Sequence, residues 1–233
     1  MIRIGTAGWS IPAAYKNRFP IRGSQLEKYA ALMRAVEINS SFYRPHRRAT
    51  YERWAASVPA DFRFAVKLPR AITQDSRLQN YGDLLDRFLA EVSGLGDKLG
   101  VLLVQLPPKL VYDEDVAVAF FHDLARAAVP VACEPRHPSW FAPGADDTLG
   151  RLGVARVAAD PPRAPTDGEP GGERRFAYWR MHGNPRIYYS DYGEEALARL
   201  AGRLREGDWC VFDNTAAYHA LGNALRLRDL TKG

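Results

Sequence analysis

The sequence of 233 residues predicts an α/β fold, a closed (β/α)8 TIM barrel that forms one domain over residues 1–233. The first observation is a rhythm, since eight short runs of β-branched and aromatic residues recur about every 29 residues. The second is that helical patterns separate most of these runs, and such alternation requires parallel strands. An open doubly wound sheet is the competing fold, but no GxGxxG turn follows the first run.

The strands are predicted from runs of four to seven residues that are rich in Val, Ile, Phe, Tyr and Trp. In chain order, they are Ile2–Thr6, Ala35–Asn39, Phe62–Lys67, Val101–Leu106, Val131–Glu134, Val154–Ala159, Phe176–His182 and Trp209–Asn214. Each run is short enough for one strand of a barrel.

The helices are predicted from apolar spacing and end signals. Ser24 and Glu27 form a capping box that begins a helix reaching about Ala35. The later predicted helices are Ala49–Ser57, Asp83–Ser93, Glu114–Ala128, Glu194–Arg205 and Ala216–Asp229. The segment Pro161–Arg175 is too rich in proline and glycine for a helix, so we expect a loop where a regular sixth helix would lie.

Composition excludes several classes of protein. With 46% hydrophobic and 25% charged residues, the chain is not fibrous or wholly disordered. No stretch approaches the roughly 18 apolar residues of a membrane span, and MIRIGTAGW has no signal-peptide core. Two cysteines give neither a disulfide framework nor zinc-ligand spacing. We therefore expect a soluble cytoplasmic protein without a membrane partner.

The net charge of +5 and the pI of about 9.3 indicate an anionic partner only weakly. Of the 32 basic residues, 26 are arginine, and genome base composition also explains this excess. The densest run, Arg44–Arg48, is short and is typical of a solvated loop. A small anionic or sugar-like ligand is therefore favoured, and nucleic acid remains the alternative partner.

Polar residues gather at the carboxyl ends of the predicted strands, where barrel enzymes carry their active sites. Alternation along three strands turns Glu37, Asn39, Lys67, Arg180 and His182 away from the helices. The other polar residues at or just beyond strand ends are Gln105, Glu134, Arg136, His137, Asp160 and Asn214. Converging charges in a barrel mouth are costly, so this set predicts a ligand site.

The catalytic candidates are Glu37, Glu134, Lys67 and His182. Glu37 and Glu134 would act as an acid–base pair if their separation allows it, and the alternative is that both are salt-bridged. Arg180, Arg136 and Lys67 would hold an anionic or phosphorylated group. These cations disfavour a dication, whose hypothetical ligands would be Glu37, Glu134, Asp160 and His182. No metal and no cofactor are predicted.

Aromatic side chains in the loops after the strands are candidates for stacking on a sugar or a base. They are Trp9, Tyr43, Trp140 and Tyr189. The alternative is that each packs in a small local core. His137 and Trp140 follow the fifth strand, where the loop would cap the barrel.

Several segments resemble the YecE-like family, also called domain of unknown function 72. They are GTAGW, VEINSSFYR, FRFAVKLPR, LGDKLGVLLVQLPP, EPRHPSW, YWRMHG and NALRLRDL. The resemblance runs from Gly5 to Leu230, omits Pro161–Arg175, and implies a TIM barrel without implying an activity. At the eighth strand this sequence reads FDNT where many members look more like FNND, which favours Asn214 over Asp213 and Thr215 as a site residue.

Within the matched segments, the resemblance implies a polar barrel mouth. Its members here are Glu37, Asn39, Lys67, Gln105, Glu134, Arg136, His137, Arg180 and His182. The leading prediction is an enzyme of acid–base or hydrolytic chemistry. The alternatives are a nucleic-acid-binding protein or nuclease, by analogy of fold only, and a non-catalytic regulatory module.

Overall fold

The computed structural model describes residues 1–164 and 168–231, which form a mixed α/β protein. Its strands are β1 Arg3–Thr6, β2 Ala35–Ile38, β3 Arg63–Lys67, β4 Leu99–Gln105, β5 Val131–Glu134, β6 Val154–Arg156, β7 Ala158–Asp160, β8 Gly171–Gly172, β9 Tyr178–Met181 and β10 Trp209–Phe212. Its α-helices are α1 Gln25–Leu32, α2 Arg48–Ala56, α3 Gly82–Val92, α4 Glu114–Leu124, α5 Pro143–Arg151, α6 Glu194–Ala201 and α7 Ala220–Leu230. Each predicted strand segment contains a strand, and β6 and β7 share the sixth.

The strands pair in two sheets. One sheet has the order β1-β10-β9-β7, and the other has the order β2-β3-β4-β5-β6-β8. All pairs are parallel except β6 with β8. The pairing thus shows parallel sheets with helical connections, and closure into one barrel stays a prediction.

Two features join the sheets. An isolated parallel bridge pairs Ala7, just after β1, with Glu37 in β2. Residues 154–160 contain β6 and β7, which belong to different sheets and are separated by Val157 alone. The Val157 amide still donates to the Cys133 carbonyl of β5, at 2.8 Å. The chain therefore passes from one sheet to the other across a single residue.

Apolar side chains of the strands form two clusters, one on each face. Val36, Ile38 and Val66 belong to the large cluster that includes the helices. Their neighbours in sequence belong to a smaller cluster, whose buried members are Ala35, Ala65, Val101, Leu103, Ala132, Val157, Tyr178, Trp209 and Val211. Successive side chains of a strand point to opposite faces, so the smaller cluster lies on the face away from the helices.

Local signals explain most of the helix ends. At α1 the Ser24 hydroxyl accepts from the Glu27 amide, and the Glu27 carboxylate accepts from the Ser24 amide, as the capping box predicted. Helix α5 was not predicted, because its sequence PGADDTLGR holds two glycines and buries only Ala145, Thr148 and Leu149. Such a helix has too few apolar positions to show a period of 3.6 residues.

The region where a sixth helix was not expected contains no helix in its described part. Residues 165–167 of Pro161–Arg175 lie outside the described residues, and β8 is the regular element of the remainder. Within residues 1–164 and 168–231, no helix has both the length and the apolar character needed to cross a bilayer. The assignment of residues 1–233 to one domain stays a prediction.

Candidate functional site

A layer of buried polar side chains lies next to the smaller apolar cluster, toward the carboxyl ends of the strands. On six strands a polar residue follows a cluster member by two positions: Glu37 after Ala35, Lys67 after Ala65, Gln105 after Leu103, Glu134 after Ala132, Arg180 after Tyr178 and Asp213 after Val211. A spacing of two keeps both side chains on one face of the strand. Alternation therefore brings these six side chains, which come from both sheets, into one layer.

Arg180 is the centre of this layer and has no solvent exposure. Its Nε and Nη2 donate to both oxygens of Glu37, at 3.0 and 2.7 Å. Its Nη1 donates to Glu134 at 2.5 Å, and Nη2 also donates to Asp213 at 3.1 Å. Burial opposes the charge, yet the carboxylates hold the Arg180 pKa well above its usual value. Every guanidinium nitrogen is thus engaged by a carboxylate.

Glu37 is held on both oxygens and is fully buried. Besides Arg180, it accepts a hydrogen bond of 3.0 Å from the Tyr178 hydroxyl. Burial and the adjacent Glu37 charge raise the Tyr178 pKa well above its usual value, so this phenol remains a donor. Sequence reasoning missed Tyr178, although it lies two residues before Arg180 on the same face of β9.

Glu134 is also held on both oxygens. Its Oε2 accepts from Gln105 at 3.0 Å and from Arg180, while Oε1 contacts His182 at 3.1 Å and Arg136 at 3.4 Å. Burial would raise its pKa, but Arg180 and His182 hold it well below the ordinary value. Glu134 is therefore a permanently charged, fully occupied carboxylate.

His182 lies between two carboxylates. Its Nε2 is 3.1 Å from Glu134, and its Nδ1 is 3.1 Å from Oδ2 of Asp213. Burial lowers the His182 pKa, but the two carboxylates outweigh burial and raise it. When it is protonated, the ring donates to both neighbours and fixes the position of Asp213.

Asp213 differs from the other two carboxylates. Its Oδ2 accepts from Arg180 and His182, but its Oδ1 accepts no hydrogen bond from any residue that the structure describes. Burial would raise its pKa, yet Arg180, His182 and Lys67 lower it, so it is a carboxylate at neutral pH. Asp213 was disfavoured because the FDNT segment departs from the family pattern, although its alternation with Val211 places it in the layer.

Lys67 ends β3 and is 4% exposed. Its Nζ lies 4.0 Å from the centre of the Phe42 ring. Across residues 1–164 and 168–231, it forms no ion pair within 4.0 Å. Burial and the Arg180 charge lower the Lys67 pKa to about 8, although Glu37, Glu134 and Asp213 act in the opposite direction.

Three polar atoms of the predicted set are buried without a hydrogen-bond partner among the described residues. They are Oδ1 of Asn39, Nε of Arg136 and Oδ1 of Asn214. Asn39 follows Ile38, which is paired with Val66, so it adjoins Lys67 across neighbouring strands. The Arg136 pKa is raised, since Glu134 outweighs the effect of burial. Buried donors and acceptors are normally satisfied in native proteins, so unpaired groups point to an external partner.

Asp160 and Asn214 lie apart from the Arg180 layer. The Asp160 carboxylate accepts from the Tyr192 hydroxyl at 2.7 Å, and Asp160 meets His182 through the backbone, where the His182 amide donates to the Asp160 carbonyl at 2.8 Å. The Asn214 side-chain amide donates to the Ser190 carbonyl at 2.9 Å and to Asn223 at 2.8 Å. These contacts connect the loops after β7 and β9 with α7, and neither side chain forms a hydrogen bond with the Arg180 network among the described residues.

His137 and Trp140 build the loop after β5. The His137 Nδ1 is 2.8 Å from the Ser139 hydroxyl and accepts from the Ser139 amide, which caps the turn Pro138–Phe141. Trp140 is 1% exposed and donates from Nε1 to the Leu110 carbonyl at 2.9 Å. The structure thus places Trp140 in a local core under the loop, and not in an exposed lid.

The other aromatic candidates also have local partners. Trp9 packs edge-to-face on Trp54, with ring centres 5.1 Å apart. Tyr43 is 76% exposed, and Tyr189 is 45% exposed beneath the Arg186 guanidinium. None of these three rings contacts the Arg180 network through a hydrogen bond or ring contact that the described residues show. Their role in ligand stacking stays a prediction.

The hypothetical metal ligands do not form one group. Arg180 binds both Glu37 and Glu134, and Asp160 belongs to the Tyr192 contact. Among residues 1–164 and 168–231, no three His, Cys, Asp or Glu side chains have an arrangement that would hold a metal ion. The acidic side chains of the layer are thus used to hold an arginine.

Comparisons with known proteins agree on one family. The family model "Protein of unknown function DUF72" matches residues 3–233. The UPF0759 protein YecE of Escherichia coli (strain K12) is 33% identical over 165 residues, which is 69% of this chain and 59% of that protein. The UPF0759 protein YunF of Bacillus subtilis (strain 168) is 27% identical over 150 residues, 61% of this chain and 53% of that protein.

Solved structures show the same fold. A DUF72 family protein from Enterococcus faecalis V583 superposes with a TM-score of 0.80 at 20% identity, covering 100% of this chain and 96% of that one. One from Thermotoga maritima MSB8 gives a TM-score of 0.78 at 24% identity and full coverage of both chains. The matches span little more than half the length of the curated relatives. The near-complete match to the family model, with these structures, shows that the chain belongs to the DUF72 family.

Proposed function

We propose that this protein is an enzyme that binds a small anionic or sugar-like substrate beside Lys67 and Asp213 and acts on it by acid–base chemistry. One observation carries the proposal: the buried polar layer is only partly satisfied. Glu37, Glu134 and Arg180 have their polar atoms engaged, whereas Lys67 Nζ and Asp213 Oδ1 have no partner among the described residues. Both atoms are open to solvent, since neither is among the buried unpaired side-chain atoms of the described residues, so a small ligand that reaches the layer would meet a free donor and a free acceptor.

The charges of the layer favour a substrate with one negative charge. The cations, when protonated, are Lys67, Arg136, Arg180 and His182, and the carboxylates are Glu37, Glu134 and Asp213. Four cations and three carboxylates leave one positive charge in excess. A monoanion that accepts hydrogen bonds from Lys67 and from Nε of Arg136 would neutralise this excess charge. It would also give the unpaired Arg136 donor a partner.

The acid–base groups in this proposal are Lys67 and Asp213. With a pKa of about 8, the Lys67 amine exchanges a proton close to neutral pH, which suits a general acid or base. Asp213 is ionised at neutral pH and offers Oδ1 as a proton acceptor. Glu37, Glu134 and His182 then act as positioning residues, which revises the catalytic role that the sequence predicted for them.

We also propose that the two sheets belong to one closed (β/α)8 barrel. The Ala7–Glu37 bridge supports closure on one side, and the continuous residues 154–160 support it on the other. Arg180, from the four-stranded sheet, binds Glu37 and Glu134 of the six-stranded sheet. A cytoplasmic location stays a prediction.

The test is a binding screen with a matched set of variants. Monocarboxylates, phosphosugars and neutral sugars are added to wild type, Lys67→Met, Asp213→Asn and the exposed control Lys109→Met, and the thermal midpoint Tm is measured. We expect at least one monoanion to raise the Tm of wild type and of Lys109→Met. For the same rise in Tm, Lys67→Met and Asp213→Asn should need at least about a tenfold higher concentration of that monoanion. The proposal would be contradicted if Lys67→Met and Asp213→Asn bound the ligand as wild type does, or if no compound of the panel bound.

A short oligonucleotide in the same panel tests the nucleic-acid alternative. Contacts with phosphodiesters weaken steeply as salt concentration rises, since counterions are released on binding. We expect only weak binding, because exposed acidic residues intersperse the arginines. Tight, salt-sensitive binding that survives Lys67→Met would favour nucleic acid over the small anion.

A further inference from the structure

We propose that Lys67 is a covalent nucleophile and forms an imine with an aldehyde or ketone group of the substrate. The inference rests on the proposed function only in assuming that a small ligand reaches the site. It adds a substrate class, since the ligand would be a carbonyl compound as well as an anion or a sugar. Lysine is the side chain that proteins use for this chemistry when its amine is kept neutral and correctly placed.

The backbone around Lys67 holds the amine in place. The residue lies at the end of β3, paired with β4 through Leu103, and its carbonyl accepts from the Ser41 hydroxyl at 2.6 Å. The Phe42 ring lies beneath Nζ, at 4.0 Å. A nucleophile on a strand, with an aromatic ring on one side, approaches a bound carbonyl from a defined direction.

The surroundings of Nζ keep it available. Most buried lysines are paired with a carboxylate, but the Lys67 amine has none within 4.0 Å among the described residues. Arg180, a permanent cation in the same layer, further disfavours the ammonium form. With a pKa of about 8, about a tenth of Lys67 is neutral at pH 7, against about one in 2,500 for an ordinary lysine.

Asp213 completes the chemistry as a proton carrier. The neutral amine attacks the carbonyl carbon, a C–N bond forms, and the carbonyl π electrons pass to oxygen. Asp213 Oδ1 takes a proton from the new ammonium group and delivers it to the alkoxide, which gives the carbinolamine. The second amine proton then passes by the same route to the carbinolamine hydroxyl, which leaves as water while the C=N bond forms. Water adds to the imine in the reverse sequence and regenerates the amine. No oxidant or reductant is consumed.

Lys98 supplies an internal control. Its pKa is also lowered by burial, but its Nζ donates to the Ala55 and Val58 carbonyls, at 2.6 and 2.5 Å. The two carbonyl acceptors favour the protonated amine of Lys98, which has no lone pair for attack on a carbonyl group. Lys16 and Lys109 are exposed and represent ordinary lysines.

The experiment traps the imine by reduction. Wild-type protein is incubated at pH 7 with glyoxylate or with glyceraldehyde and sodium cyanoborohydride, and the adduct at each lysine is quantified by peptide mass spectrometry. We expect the Lys67 adduct to form at least about tenfold faster than those at Lys16, Lys98 and Lys109. The Lys67 rate should rise with pH and level off above pH 8, and Asp213→Asn should slow it about tenfold or more.

The readouts separate this inference from the proposed function. If Lys67 reacts with both probes no faster than Lys16, the imine proposal is wrong, whether or not the binding screen finds a ligand. If the screen finds a monoanion that depends on Lys67, the proposed function stands without the imine. Lys67→Arg keeps the charge but removes the amine, so the fast component of total labelling should disappear, and equally fast labelling of another lysine in this variant would also overturn the inference.

Discussion

Two halves of one buried layer behave differently. In the inner half, Arg180 is surrounded by Glu37 and Glu134, and every charged atom has a partner. In the outer half, Lys67 and Asp213 are almost as buried, yet each keeps an atom without a partner in the described structure. The two outer residues are slightly more exposed, at 4% and 6%, and they differ from the inner three mainly in the completeness of hydrogen bonding among the described residues.

This difference teaches how to divide a charge cluster into structure and chemistry. A saturated ion pair holds its members in one protonation state and cannot easily exchange a proton. An unsaturated member is costly to the fold, and sites of function are where such costs persist. The inner half should therefore respond to substitution by losing stability, and the outer half by gaining it.

The largest effect is expected at the centre of the inner half. Arg180→Met leaves Glu37 and Glu134 buried without their main cation, so the free energy of unfolding should fall by about 3–5 kcal/mol. Urea denaturation at pH 7 measures it, with the exposed Arg44→Met as the control. Should Arg180→Met fail to fold, Glu134→Gln gives a milder version, with an expected loss of about 1–3 kcal/mol. If both variants lose less than about 0.5 kcal/mol, complete hydrogen bonding of a buried charge does not identify it as a stabilising residue.

The opposite sign is expected at Lys67. Its folded pKa of about 8 lies below the ordinary value of 10.5, so the folded state binds this proton more weakly than the unfolded state does. The resulting penalty is complete below pH 8 and disappears as the pH rises toward 10.5. Lys67→Met should therefore raise the free energy of unfolding by about 1–3 kcal/mol at pH 7.

Wild type should also gain stability between pH 8 and pH 10 relative to Lys67→Met, whereas Lys109→Met should follow wild type throughout. Thermal melts at matched ionic strength check both points. If Lys67→Met destabilises the protein at pH 7, Lys67 stabilises the fold as the inner half does. The division of the layer into two halves is then wrong.

The smallest effect concerns His182, which lies between the halves. Its folded pKa is raised by Glu134 and Asp213, so its stabilising contribution is complete below pH 6.5 and is lost as the pH rises through the folded pKa. We expect the Tm of wild type, relative to His182→Gln, to fall by about 2–4 °C as the pH rises from 6 through neutrality. The exposed His122→Gln variant is the control. A Tm difference that stays constant with pH would mean that His182 is neutral in the fold.

The strands and the inward set could be predicted from sequence because both depend on a period of two. Glu37, Lys67 and Arg180 alternate with apolar neighbours, and the structure places all three in the buried layer. The same period, applied to Val211 and Asp213, also predicts that Asp213 points into the layer at the carboxyl end of its strand. Asp213 was not predicted as a site residue because its FDNT segment departs from the family pattern.

The division of roles could not be predicted, because it depends on distances between strands. Nothing in the sequence shows that Arg180 reaches Glu37 at 2.7 Å while Lys67 reaches no described carboxylate within 4.0 Å. Nor does it show that Trp140 is buried or that Asn214 is tied to Asn223. These outcomes follow from side-chain packing across loops, which has no period along the chain.

The contacts of Arg180 have a consequence for folding. Its strand, β9, belongs to one sheet, while Glu37 and Glu134 belong to the other, so the layer exists only after the two sheets have docked. A chain in which one sheet alone has formed would bring together only part of the charged residues of the layer and would have no complete site. Any ligand of the layer therefore binds only the fully folded chain and, by mass action, stabilises both sheets together. Hydrogen exchange in the strands of either sheet should slow in parallel when such a ligand is added.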